Sequence, residues 1–485
     1  MSVLKQKAIQ GVVWTSINRF TTIGIQFISG IILARLLTPD DYGCIGMLSI
    51  FMLISSTFID GGFGSALIQK KRPSQEDYST IFIWNLGISI IIYTLLYVSA
   101  PAIAYFYKIP LLSDILRIQG IILILNALQT VQVNQLNKQF RFKKIAIVSL
   151  ITSITSLSVT IYLAYEGLGV WALVTQNILL SLIPTIIYWF TNKWYPQLRF
   201  SIHSFKELFS FGFYMFLSSI INTTVNNIQG LLIGRLYNPT IVGYYSKAHS
   251  TEKLASTSIS QIIAQVSYPL YAELQDNKLA LINVVKKLTA LLAYITFPML
   301  SLLALLATPI FTLLYSEKWL NCVPYFQILC IAGIAICLQS VNSQTISAIG
   351  KSKLMLKWTV VKQLSGVSIV VLGLIFFGIE GLLVGMVIKS WLIYIVNASL
   401  VSTHIGYKLK NQLLDLCPIM LLALTALCIS YIGGSFFECG LYIDAIIKLI
   451  IYVVLYLFGS YVLKLKAFIE TRQLISNFVL KKIKK

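Results

Sequence analysis

Arg19 stands about nine residues inside the first long apolar run of the chain. An ionised side chain near the middle of a membrane helix costs at least ~2.5–3.5 kcal/mol on insertion scales, so it is expected to face protein or water. Thr15, Asn18, Arg19, Thr22, Gln26 and Ser29 recur at helical spacing as one polar stripe, with Ile17, Phe20 and Phe27 outside it. Such a stripe either lines a wet cavity or supplies hydrogen bonds to neighbouring helices. A guanidinium among amides and hydroxyls suits an anionic ligand that also carries hydroxyl groups.

A second set repeats the pattern. Asn222, Asn226 and Gln229 share one side of a later segment. The segment after it, over 241–272, carries Ser246, Lys247, His249, Ser250, Thr251, Glu252, Lys253, Thr257, Ser260, Gln261 and Gln265. At 1.5 Å per residue, Lys247 lies roughly 9 Å and Lys253 about 18 Å from its outer end. Glu252 is expected to pair with Lys247 or with a cation from another helix, which leaves Lys253 for an anionic ligand. The alternative is a charge-neutral structural network. His249 reads as a packed imidazole. Asn126, Gln129 and Gln132, with Gln339, Asn342, Ser343 and Gln344, add amides that suit sugar hydroxyls or interhelical bonding. Asp60 precedes Gly61-Gly62-Phe63-Gly64 and is a candidate for ion coupling, for a gate contact or for a helix cap.

No catalytic constellation accompanies these residues. The chain has no Gly-rich phosphate loop, no Walker lysine and no His-rich cluster, and its connections on the outer side are short. Seven cysteines are scattered without a CxxC pair, so neither a metal nor a disulfide is expected, and no cofactor. Cys330 and Cys337 share a helix face and read as buried thiols.

The elements that must position these groups are membrane helices. Apolar residues make up 57% of the 485, charged residues 11%, about half of what a soluble chain carries. Mean hydropathy is +0.80. The pattern predicts an all-α integral membrane protein of about fourteen transmembrane helices. Six fall over 10–190, six over 208–402, and a final pair covers 414–434 and 443–463. The domain reading is an N-lobe over 1–195, an amphipathic cytoplasmic linker over 196–207 and a C-lobe over 208–405. The last helix pair covers 406–464, and a basic amphipathic tail covers 465–485. The first apolar run lacks a cleavage signal and is expected to stay.

The formal charge of +21 would suggest nucleic acid, but its placement argues otherwise. By our count roughly 27 of the 38 Lys and Arg residues lie at the termini or in connections after even-numbered spans. That alternation puts both termini in the cytoplasm and excludes nucleic acid as the partner. Membrane lipids are expected partners of the linker and the tail.

One motif recurs. Arg35-Leu36-Leu37-Thr38-Pro39-Asp40-Asp41-Tyr42-Gly43 returns as Arg235-Leu236-Tyr237-Asn238-Pro239-Thr240-Ile241-Val242-Gly243, an offset of 235 − 35 = 200. Gly167-Leu168-Gly169 pairs with Gly378-Ile379-Glu380-Gly381 at a similar offset. Two related halves point to a transporter built by duplication, with its six-helix lobes related by a pseudo-two-fold.

With these residues assembled, the chain resembles the polysaccharide flippases of the multidrug/oligosaccharidyl-lipid/polysaccharide exporter superfamily, of the O-antigen and colanic-acid type. The marks are Leu33 to Gly43, Asp60 to Lys71, Tyr78-Ser79-Thr80-Ile81-Phe82, Phe140-Arg141-Phe142 and Ser204 to Gly212. The resemblance implies two lobes that open alternately to each side of the bacterial cytoplasmic membrane. It implies transfer of an undecaprenyl-diphosphate-linked oligosaccharide repeat unit between leaflets, without ATP and with an H+ or Na+ gradient. A polymerase and glycosyltransferases would be pathway partners. Arg19, Lys247 and Lys253 would serve the diphosphate, Asn18, Gln26, Asn222 and Asn226 the glycan, and Asp60 and Glu252 ion coupling or gating. The lipid II branch carries several intramembrane arginines, whereas this chain has one at clear mid-depth, which disfavours that substrate. A drug/cation antiporter of the same superfamily would favour acidic cavity residues. A membrane-embedded glycosyltransferase or polymerase would need a large outer loop.

Overall fold

The computed structural model describes residues 3–70, 72–197, 199–350, 352–436 and 440–472. Every element assigned there is helical. The chain divides into two units, residues 1–246 and 247–485, each with its own packing.

In the first unit α1 (Val3–Leu36) and α2 (Pro39–Asp60) meet at the first copy of the motif. Then follow α3 (Phe63–Gln69), α4 (Gln75–Tyr107), α5 (Leu111–Gln119), α6 (Ile121–Lys138), α7 (Phe142–Tyr165) and α8 (Val170–Thr191). A second junction joins α9 (Ile202–Leu236) to α10 (Pro239–Glu273), and the boundary between units falls inside α10. Local chemistry explains the start of α2. Thr38 and Asp41 form a reciprocal capping box and Pro39 occupies the first turn, where its missing N–H costs nothing.

The two junctions touch each other. A Cβ added at Gly43 would run into the Pro239 carbonyl, and one added at Gly243 into the Pro39 carbonyl. Between them the Thr240 hydroxyl donates to Asp40 Oδ1 at 2.5 Å. Each glycine meets the proline of the other copy, and Asp40 meets its own counterpart Thr240, the reciprocal pattern of a local two-fold. It gives the glycines of the motif a reason: any side chain there meets backbone.

Residues 202–207, which the sequence assigns to an interfacial linker, are the first turns of α9. Phe205, Leu208 and Phe209 pack with Phe63, Leu67, Ile81, Phe82 and Trp194.

The second unit holds the rest of α10, α11 (Lys278–Leu305), α12 (Ala307–Tyr315), a 3-10 turn (Glu317–Cys322), α13 (Val323–Ala348), α14 (Ser352–Ile405), α15 (Leu409–Ser435) and α16 (Leu441–Val462). Inside α14, Gly378 takes φ 64° and ψ −148°, a conformation open only to glycine. The chain reverses there. Gly373 meets Gly381, Gly385 meets Ile369 and Val370, and Gly366 meets Lys389, the register of an antiparallel hairpin. Gly167 and Gly169, also at positive φ, make the corresponding turn between α7 and α8.

Eleven helices among the described residues are long and apolar enough to cross a bilayer, against fourteen expected. Two differences are physical. The α14 hairpin counts once, as the 49 residues Lys357–Ile405, and α10, 35 residues long, carries too many polar side chains to qualify. Most of the expected basic tail lies outside the described residues. Of its described part, Leu465 and Ala467 are buried and Glu470 accepts from Lys287 at 3.3 Å.

Candidate functional site

Helix α1 divides its polar stripe into two faces. At about 100° per residue, Asn18, Thr22 and Ser29 occupy one sector and Thr15, Arg19 and Gln26 the next. The first sector is spent on helix packing. Thr22 shares a hydrogen bond with Ser149 of α7 at 3.4 Å, and Gln176 of α8 donates to Ser29 at 3.2 Å. Asn18 accepts from Thr22 at 3.4 Å. Thr15, Arg19 and Gln26 stay exposed, and Arg19 enters none of the ion pairs among the described residues. On the far side Phe20 is 66% exposed and Ile17 and Ile28 are also open, as a lipid-facing surface requires. One helix therefore presents an apolar face and a separate polar, cationic face, neither covered by protein.

Helix α9 behaves likewise within the first unit. Thr57 and Thr223 share a hydrogen bond at 3.3 Å, and Phe58 and Phe216 meet edge-on at 5.3 Å, so these residues face α2. Asn222 is half-buried beside Ser218 at 3.4 Å, Asn226 is exposed and Gln229 is buried.

Asp60 sits at the end of α2, where Gly61 and Gly62 both adopt the left-handed conformation and release the chain into α3. Its carboxylate accepts the backbone N–H groups of Gly62 and Gly64, the orphan donors of the first turn of α3. At the other end Lys138 Nζ donates to the carbonyls of Leu67, at 3.0 Å, and Lys70. An acid at the N-terminus and a lysine at the C-terminus thus clamp a seven-residue helix with the sense its dipole favours. Lys70 in turn pairs with Asp77 at 3.0 Å and Glu207 of α9 at 2.9 Å. Burial opposes its charge, yet the hydrogen bonds to Glu207 and Asp77 raise its pKa above the ordinary lysine value.

In the second unit the expected pairing of Lys247 with Glu252 is replaced by two separate environments. Lys247 is 5% exposed and its ammonium lies 3.9 Å from the Tyr315 ring centroid and 5.6 Å from that of Trp319. The repeat explains why. Met47, its counterpart at 247 − 200, receives the Tyr107 hydroxyl on its carbonyl at 3.2 Å. Phe51 meets the Tyr107 ring at 6.3 Å, and its counterpart Thr251 shares a hydrogen bond with the Tyr315 hydroxyl at 3.2 Å. Lys247 thus fills a packing position beneath a terminal tyrosine.

Glu252 is 3% exposed, hydrogen-bonds Ser256 and lies against Gly333 of α13, where a Cβ would collide with its carboxylate. It forms no ion pair among the described residues, and its Oε1 has no hydrogen-bond partner there. Lys253, one residue on, is exposed. His249 is half-buried. The side chain of Gln265 lies outside the described residues.

The remaining amides divide. Gln132 accepts from Asn192 at 2.6 Å and donates to the Trp194 carbonyl at 3.2 Å, and Gln129 donates to Asn126 at 2.8 Å. Asn342 is fully buried with neither amide atom paired among the described residues. The structure also brings in two cations that the sequence reading passed over, Lys362 and Lys389, both buried in the α14 hairpin. Each is a single basic residue in an apolar run with no polar periodicity around it, so only its depth could have drawn notice. Among the described residues no three His, Cys, Asp or Glu side chains gather as metal ligands.

The family model described as polysaccharide biosynthesis protein matches residues 32–324, which include both copies of the motif, the clamped α3 and the Lys247 position. The chain belongs to the polysaccharide biosynthesis protein family. This family member is 27% identical over 360 residues to the teichuronic acid biosynthesis protein TuaB of Bacillus subtilis, covering 74% of each chain. It is 24% identical over 438 residues to the lipopolysaccharide biosynthesis protein WzxC of Escherichia coli, covering 89% of this chain and 88% of that one. Among solved structures it is similar to the lipid II flippase MurJ in an inward closed conformation, with TM-score 0.71, 15% identity and coverage of 93% and 98%. An inward-facing multidrug resistance transporter of the multidrug/oligosaccharidyl-lipid/polysaccharide superfamily is also similar, at TM-score 0.61, 17% identity and coverage of 82% and 98%. At these identities the structural likeness shows the helical fold alone. The polysaccharide biosynthesis protein is thus a multi-pass membrane protein of that fold.

Proposed function

We propose that this chain carries an undecaprenyl-diphosphate-linked oligosaccharide repeat unit from the inner to the outer leaflet of the bacterial cytoplasmic membrane. It acts by alternating access, coupled to an H+ or Na+ gradient, for assembly of a surface polysaccharide. It performs no bond chemistry, and both its termini lie in the cytoplasm. The polymerase and glycosyltransferases of the same pathway supply and consume its cargo.

The observation that carries this reading is the split face of α1. Exposed Thr15, Arg19 and Gln26 line one face of the helix, and exposed Ile17, Phe20 and Ile28 its far side, over the same turns. A lipid-linked glycan has this duality, with a polar headgroup for a wet cleft and an isoprenoid tail for the bilayer. Arg19 offers the bidentate fork that a diphosphate accepts. Asn226 and Lys253 are exposed and can add glycan and anion contacts, with Asn18 and Asn222 at the margins. Glu252, an unpaired buried carboxylate, is the coupling candidate in the second unit. Asp60 has the weaker claim, because its oxygens are committed to α3.

Liposomes holding the purified protein and a labelled lipid-linked oligosaccharide test the reading. Wild-type protein should expose the glycan outside. Arg19→Ala should slow this at least about tenfold, the loss of one charged hydrogen bond, at unchanged protein level. Arg19→Lys should keep part of the rate. Full activity of the alanine variant would remove Arg19 from the site, and no translocation by wild type would overturn the function.

A further inference from the structure

Lys362 and Lys389 raise a question of charge that the α14 hairpin does not answer by itself. Lys362 is 7% exposed and Lys389 9%. From the reversal at Gly378 they lie about 24 Å and 16 Å along their arms, both within the span of a bilayer core. Lys362 donates to the amide oxygen of Asn397 on the opposite arm at 2.7 Å, a neutral partner. The stem of Lys389 crosses Gly366, where an added Cβ would meet its Cγ, Cδ and Cε at 2.8–2.9 Å. The glycine makes room for this lysine and directs it into the seam between the arms.

Neither ammonium enters an ion pair among the described residues. Within α14 the acid is Glu380, at the turn. Helices α11, α13 and α15 pack along α14. The first two contain no Asp or Glu. The acid of α15 is Asp415, already bound to Lys286 at 2.9 Å and to the Tyr407 hydroxyl at 2.6 Å. Glu252 of α10 is turned to Gly333. A buried cation without a counter-charge is costly, and an anion that reaches it lowers that cost.

We propose that Lys362, Lys389 and Asn397 form an oxyanion-binding site in the α14 hairpin, for a phosphate or carboxylate group of the translocated lipid-linked glycan. The assignment of the cargo rests on the proposed function; the site itself does not. Two ammonium donors and the Asn397 side-chain amide N–H offer the hydrogen bonds such a group needs, and the lysine stems let the donors follow it.

The test is thermal unfolding of the purified full-length chain in detergent, titrated with inorganic pyrophosphate or with glucuronate, and with sodium chloride at matched ionic strength. The wild-type midpoint should rise saturably with at least one oxyanion and not with chloride. Pyrophosphate assigns the site to the carrier headgroup, glucuronate to an acidic sugar. Lys389→Met and Lys362→Met should each weaken the apparent affinity by at least about tenfold. Gly366→Ala keeps both charges but displaces the Lys389 stem, and should weaken binding too, which covers the case in which a lysine variant fails to fold. No saturable rise in wild type, or an equal rise in the variants, overturns the site. Because the readout needs no transport, a wild-type chain that binds the oxyanion without moving the glycan would sink the function and leave the site.

Discussion

Two adjacent residues of α10 show how little a position in sequence says about access. Lys253 is exposed and Glu252 is buried against Gly333, while Lys247, a turn and a half earlier, lies under Tyr315 and Trp319. Lys247→Met should therefore be tolerated. It forfeits a cation–π contact of about 0.5–2 kcal/mol but removes a desolvated charge, and Met47 shows that a thioether side chain suits the place. We expect transport within about twofold of wild type, since a buried-charge replacement of like volume is near neutral. Lys253→Ala should instead cut the rate. Transport rates of the two variants in liposomes decide between these roles, and a reversed order would restore Lys247 to the cargo. Glu252→Gln should reduce the dependence of transport on the ion gradient more than it reduces glycolipid binding.

At the scale of elements, α3 is held by groups from several others: Asp60 and Lys138 at its ends, with Lys70 reaching Asp77 and Glu207 just beyond. Asp60→Asn keeps an acceptor but loses the charge at the helix N-terminus, worth about 0.3–1 kcal/mol. The variant should lose that much stability in denaturant titration and keep its gradient dependence; lost coupling at unchanged stability would make Asp60 an ion carrier. The raised pKa of Lys70 means its contribution is fully present below the ordinary lysine value of about 10.4 and fades only as pH climbs through the folded value. Stability measured between pH 6 and 9 should show no step from this cluster. The sequence displayed the Asp-Gly-Gly-Phe-Gly run, and glycine at a helix break is readable locally. Lys138 was not readable as a cap, because its partners lie 71 and 68 residues away. The same distance effect hid the division of α1, since helical spacing groups Thr22 with Arg19 and only α7 separates them.

At the scale of the whole molecule, hydropathy carried the all-helical membrane class and the internal repeat carried the duplication. The span count fell short at the α14 hairpin, which counts once, and in α10, whose polar side chains outweigh its length. Orientation has a direct measurement. Reporter fusions after Lys70 and after Lys410 should report cytoplasm and one after Glu380 the outside, and a reversal at any of them would overturn the orientation.

The touch between the two junctions carries a record of what gene fusion permits. A symmetric pair of identical halves would set Asp40 against a second Asp40 at the spacing where Thr240 now donates at 2.5 Å. Two carboxylates that close cannot both stay ionised. Once the halves share one chain, each copy can drift alone, and acid opposite hydroxyl becomes possible. Gly43 and Gly243 have no such latitude, because each abuts a main-chain carbonyl that leaves no room for a side chain. Divergence is thus unequal along a nine-residue motif: free where side chains meet across the axis, frozen where main chains do.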